Sequence, residues 1–171
     1  MKPHPHEMID LLVAAQMSGR EVLAAFASKK GLPSEPAHGR MLWGKPLLGP
    51  GAPQQPFDRV GFGMVAVARS AFERIVRWSN QHPSHPWAVR TSIIKPNVNG
   101  YDFFRPVLDD PDPKYRDLRT GDWARPYLSE DGAFCARLLA AGGEVWAMPQ
   151  AWPGHEGTFT FGEEHVERIG A

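Results

Sequence analysis

Residues 129–149 read Ser-Glu-Asp-Gly-Ala-Phe-Cys-Ala-Arg-Leu-Leu-Ala-Ala-Gly-Gly-Glu-Val-Trp-Ala-Met-Pro. Ser129 is a good helix N-cap, and Glu130 and Asp131 then meet the positive end of the helix dipole. Phe134, Cys135, Leu138 and Leu139 share one face at helical spacing. Gly142-Gly143 supplies a left-handed stop. Glu144–Met148 reads as a strand, ended by Pro149.

A helix followed by a strand recurs near the other end. Residues 5–17 place Met8, Leu11, Leu12 and Ala15 at i, i+3, i+4 and i+7, which predicts a short amphipathic helix with Gly19 as its stop. Val22–Ala27 is an apolar run of strand length, expected to be buried on both faces. This pair reads as the tail of an α/β unit. Between the two ends, residues 59–68 read as a glycine-bearing strand, and Ser70 with Glu73 has capping-box spacing before Phe72, Ile75 and Val76.

Two stretches are expected to be irregular. Residues 28–57 hold six prolines and five glycines, and residues 80–127 hold seven prolines. Proline lacks the donor that a strand ladder needs. Short strands at Val89–Ile94 and Tyr101–Phe104 are expected inside the second stretch. Its aromatics (Trp87, Tyr101, Phe103, Phe104, Tyr115, Trp123 and Tyr127) suit packing against the body more than sugar stacking.

At 171 residues the chain fits a single domain with a real core. Lys plus Arg number 19 and Asp plus Glu number 19, so no basic excess favours nucleic acid. No apolar run reaches membrane-spanning length, and residues 1–6 lead into no secretory h-region. The single cysteine, Cys135, suits a reducing compartment, and a cytoplasmic location is expected.

Asp131 and Glu130 are candidate chemical groups, although acids at a helix start are common for stability alone. His155 lies in Pro-Gly-His-Glu-Gly, where a tight turn can project an imidazole into a cleft as a metal ligand. His82 and His85 sit in an extended His-Pro-Ser-His-Pro segment and read as surface residues. Asp110-x-Asp112 reads as a solvated turn. A histidine-based metal site needs three of His4, His6, His82, His85, His155 and His165 to converge.

The order of these features is similar to that of GT-A fold glycosyltransferases, especially family-two-like bacterial and phage members. Val60-Gly61-Phe62-Gly63-Met64-Val65-Ala66-Val67 matches their "GxGFMLI" strand. Ser129–Arg137 matches "SEDxxFCxR", Gly142–Pro149 matches "GGxIWxDP", and Gly154–Gly157 matches the "HxG" turn. The match runs from about Glu21 to Phe161 and implies the acceptor-side half of a partial GT-A-like mixed sheet. It further implies sugar transfer from a nucleotide-sugar donor to a hydroxyl acceptor. Asp131 becomes the base, Glu130 an orienting acid, Gly61 and Gly63 the floor of the acceptor cleft, and His155 a ligand to divalent Mn or Mg. The family's nucleotide-binding half and its Asp-x-Asp motif are expected to be missing ahead of these elements. The chain would then be inactive alone, with the donor site supplied by a partner chain or by the missing N-terminal half. The family's strand-end Asp is Met148 here, and Gly132 stands where a larger residue is common. The alternative is a non-catalytic remnant that binds carbohydrate or protein through its aromatic loop.

Overall fold

A computed structural model describes residues 5–25, 28–29, 32–36, 52–95, 98–110 and 125–149. Among the described residues the central sheet has four strands, ordered β4 (Gln55–Phe57), β10 (Val145–Met148), β1 (Val22–Ala25) and β5 (Val65–Val67). β1 and β10 run parallel, in the register Leu23 opposite Trp146. The two edge strands, β4 and β5, are antiparallel to their neighbours. Among the described residues, three helices flank the sheet: α1 (Pro5–Ser18), α2 (Arg69–Gln81) and α3 (Glu130–Ala140). The fold is therefore mixed α/β around a mixed sheet, in three layers.

The pleat sorts the core into two faces. Val22 and Ala24 of β1, with Val145 and Ala147 of β10, point towards Ala71 and Ile75 of α2 and Phe134, Cys135 and Leu138 of α3. Leu23 and Ala25, with Met148, point the other way, onto Leu11 of α1. All four residues of β1 are buried, as its uninterrupted apolar run requires of a strand covered on both sides. Each buried Val, Leu or Ile contributes about 1.5–3 kcal/mol.

The helix at residues 5–17 forms, but its expected apolar face does not all turn inward. Leu11 is buried, while Met8, Ile9, Leu12, Val13 and Met17 are exposed, Met17 at 84%. Alanines 14 and 15 are what let α1 approach the sheet closely beside Leu11. The expected strand over 59–68 shrinks to β5, because its first half crosses the sheet towards α3 instead of pairing. The Ser70–Glu73 capping box is absent. Helix α2 starts at Arg69 after Ala68, and Glu73 pairs with Arg69 at 2.7 Å.

The stretches expected to be irregular carry short strands. β2 (Ser28–Lys29) and β3 (Leu32–Pro36) form a hairpin, and β4 lies within the first stretch. Pro56 is tolerated because β4 is an edge strand, where one side of the ladder needs no donor. In the second stretch, β6 (Thr91–Lys95) pairs with β7 (Val98–Tyr101), and β8 (Val107–Leu108) pairs with β9 (Tyr127–Leu128). The strand expected at Tyr101–Phe104 thus lies earlier, since the chain turns at residues 103–104.

Helix α3 ends in a complete Schellman motif. Gly143 N–H donates to the Leu138 carbonyl and Gly142 N–H to that of Leu139, both at 2.9 Å. Gly142 takes φ 74°. Gly143 is needed for space: a Cβ there would lie 2.4 Å from Leu138 Cδ1 and 3.1 Å from Glu21 Oε2. Leu138 is fully buried and has nowhere to retreat. Gly143→Ala is expected to cost about 2 kcal/mol by overpacking. Gly142→Ala incurs only the left-handed backbone penalty, about 1–2 kcal/mol. Denaturant melts of the two variants compare them, with Gly143→Ala the less stable.

Candidate active site

The C-terminal ends of the parallel strands β1 and β10 mark one edge of the sheet. The N-terminus of α3 stands at this edge, because α3 runs back to deliver the chain to the start of β10 at the opposite edge. The segment 58–64 leaves β4 at that opposite edge, crosses beneath α3 and enters β5 here. Met64 marks the arrival, its carbonyl accepting from Ala25 N–H at 2.9 Å. In open α/β sheets, this edge is where ligands bind.

Asp131 and the glycine-bearing segment meet. The Phe62 backbone N–H donates to Asp131 Oδ2 at 3.0 Å, joining positions 69 residues apart. Asp131 Oδ1 makes no hydrogen bond among the described residues. Gly61 is half-buried and Gly63 exposed. Glu130 is exposed and makes no ion pair among the described residues. Consecutive helix positions do not share a face, so Glu130 and Asp131 project differently.

A second contact lies one turn further along α3. The Cys135 thiol donates weakly to the Val60 carbonyl at 3.9 Å. Asp131 and Cys135, at i and i+4, thus hold the crossing segment at two points. Beside them, Phe134 touches Phe62 edge-on at 5.3 Å and Phe72 at 5.4 Å, and stacks on Phe104 at 5.1 Å. Of the aromatics of the long stretch, two pack as expected: Phe103 lies against Phe72, and Trp87 Nε1–H donates to the Leu108 carbonyl at 3.0 Å. Tyr101 and Phe104 touch neighbouring rings but are each 43% exposed. Tyr127 remains exposed, and Tyr115 and Trp123 lie outside the described residues.

Burial pushes the Cys135 thiol up from the ordinary 9.0 to about 12, with the charges of Asp131 and Asp58 adding to the shift and the Val60 contact opposing it. The folded chain therefore keeps a proton that the unfolded chain releases between about pH 9 and 12. Stability is expected to fall as pH rises across that window, and Cys135→Ala to abolish that part of the fall. At about pH 8 a thiol reagent should label the native chain only at its unfolding rate. Rapid native labelling would contradict the burial.

Other residues singled out in the sequence stand apart. His155 and Asp112 lie outside the described residues, as do His4 and His165. Asp110 N–H donates to Asp109 Oδ1 at 2.9 Å, the local pattern of a solvated turn. His82 stacks on Trp78 at 5.1 Å, and His85 meets both Trp78 and Trp87 edge-on. Both histidines are exposed. Among the described residues, no three His, Cys, Asp or Glu side chains come together to hold a metal ion. Nor is any described helix long and apolar enough to cross a membrane.

Sequence reasoning gave Arg137 no role. It is fully buried on α3. Its Nε donates to the Trp87 carbonyl at 2.7 Å and its NH1 to the Phe103 carbonyl at 2.9 Å. Burial first, then the nearby Arg105 charge, lowers its pKa from 12.5 to about 10, against the favourable charge of Asp102. A partial signal was present: helical spacing puts Arg137 between Ala133 and Phe134, at the border of the apolar face.

Comparison with known protein families, with curated proteins and with solved structures finds no match for this chain.

Proposed function

We propose that this chain takes part in glycosyl transfer from a nucleotide-sugar to a hydroxyl acceptor, with Asp131 as the base. The observation that supports this is the bond from Phe62 N–H to Asp131 Oδ2. It joins the two motifs that the resemblance assigns to the acceptor, at the sheet edge where α/β folds bind ligands. One carboxylate oxygen is engaged by the backbone, which fixes the side chain. The other, without a hydrogen bond among the described residues, is assigned the proton.

The step balances simply. As the acceptor oxygen bonds to the anomeric carbon, its proton passes to Asp131 Oδ1. The bond from the anomeric carbon to the diphosphate breaks, and the nucleoside diphosphate leaves with its electron pair. A positioned base contributes about 10²–10⁴-fold to such a step. The resemblance assigns Gly61 and Gly63 to the floor of the acceptor cleft, where glycine lets a ligand approach the backbone. Glu130, exposed at the same helix start, is assigned the orientation of the acceptor.

The donor side of the proposal rests on His155, with Mn or Mg as the ion, and on a nucleotide-binding portion from further sequence or a partner chain. The described residues alone do not make up a divalent-ion site, and no step above passes through a metal. Isothermal calorimetry with manganese and a panel of nucleotide-sugars tests the donor side. Saturable heat is the expected result. Its absence throughout the panel favours the non-catalytic reading, in which the aromatic loop binds carbohydrate or protein.

A further inference from the structure

A groove along α2 lies apart from Asp131 and the glycine-bearing segment, and shares only Phe72 and Phe103 with the aromatic cluster beside them. Arg69, Glu73 and Arg77 form one i, i+4 ridge of this helix, and Phe72, Val76 and Asn80 form the next. Tyr101 and Phe103 close the other side, around about 470 Å³. That volume falls within the range of small-molecule sites. The groove follows roughly 16 Å of helix, enough for a fused two-ring system.

Its two ends differ in charge. At one end, Arg69 is neutralised by Glu73 at 2.7 Å. At the other, Arg77 and Asn80 are exposed neighbours at i and i+3, and neither makes a hydrogen bond or ion pair among the described residues. The floor between them is aromatic and apolar. Phe103 meets Phe72 edge-on at 4.9 Å, and Tyr101 tilts against Phe103 at 5.6 Å. Tyr101 is 43% exposed, so a ring face is available at the lip.

We propose that this groove binds a planar aromatic anion. The ring system lies over Phe72, Val76 and Phe103 with Tyr101 at its edge, and the anionic group sits at Arg77 and Asn80. An apolar floor with one uncompensated cation at one end selects both the class of ligand and its direction. Neutral aromatics gain only the floor, and a simple anion gains only the exposed arginine.

The test uses the full chain and two fluorescent probes of similar shape: anionic 8-anilinonaphthalene-1-sulfonate and neutral N-phenyl-1-naphthylamine. The sulfonate should bind saturably at one site. Arg77→Gln should weaken it about fivefold and leave the neutral probe unchanged. Val76→Glu should abolish binding of both. Tyr101→Ala, at an exposed ring away from the core, should weaken both, and it keeps the test intact if the Val76 variant unfolds. Equal loss of the two probes in Arg77→Gln overturns the proposal. So does binding that survives the Val76 and Tyr101 changes, which would put the dye on a surface such as the exposed apolar side of α1.

Discussion

Arg137→Leu is expected to lower the unfolding free energy by about 3 kcal/mol. For a chain of this size that is a loss of roughly 6–12 °C in Tm. The guanidinium bridges two carbonyls, those of Trp87 and Phe103, on either side of the β6–β7 hairpin. Leucine fits the volume but donates nothing. Two carbonyls then remain dry, and each costs about 1–3 kcal/mol. Part of this is recovered, because a buried cation is itself unfavourable, as its depressed pKa of about 10 reports. Two unpaired acceptors outweigh that relief. Arg137→Lys keeps the charge but loses the fork, so it should fall between wild type and leucine.

The same variant has a local signature. The neck of the hairpin segment has one backbone bond, from Asp102 N–H to the Arg90 carbonyl at 3.2 Å, and is otherwise held by side chains. Val89 N–H donates to Ser79 Oγ at 3.0 Å, Arg105 NH2 to the Ala88 carbonyl at 3.0 Å, and Arg105 Nε to Asp102 Oδ2 at 2.7 Å. Losing Arg137 should raise amide exchange at Val89 and Arg90 before it raises exchange in β1. Unfolding at the wild-type midpoint with unchanged exchange would show that water reaches the freed carbonyls and that the fork does not hold the loop.

The sheet was readable where apolar periodicity and punctuation agree. The β1 run and the pair α3–β10 were visible because Gly19, Gly142 and Pro149 bound them, and both glycines named take positive φ. What sequence hid was side-chain support for irregular backbone. Prolines at 33, 36 and 56 argued against strands, yet short edge pairings accept them. The arginine in the "SEDxxFCxR" match looked like one more charge on a helix. The fold adds that it turns inward beside Phe134 and takes up two loop carbonyls. On α1, helical spacing identified the helix but not which apolar residues face inward, because two alanines make the close contact instead of the larger neighbours.

For the site, the sequence identified the two motifs but not their bond. Asp131 could have been only a helix-start acid. Its contact with Phe62 N–H gives it a second task, securing the segment that crosses to β5. The observed structural role and the proposed chemical role therefore fall on one residue, and the substitution must separate them. An asparagine at this position keeps an amide oxygen for Phe62 N–H and loses the ability to take a proton. Asp131→Asn should thus leave the chain within about 1 kcal/mol of wild type while slowing transfer by about 10²–10⁴-fold. Asp131→Ala should lose both, adding about 1–2 kcal/mol of destabilisation from the unpaired backbone donor.

The most direct measurement is single-turnover glycosyl transfer with manganese, a panel of labelled nucleotide-sugars and hydroxyl acceptors, comparing wild type with Asp131→Asn. The chain is assayed with whatever sequence or partner supplies donor binding, and thermal melts are run in parallel. Labelled product is expected from wild type, with formation at least about a hundredfold slower in a variant that melts normally. Equal rates in the two proteins would contradict this role, since Asp131 would then serve only to hold Phe62.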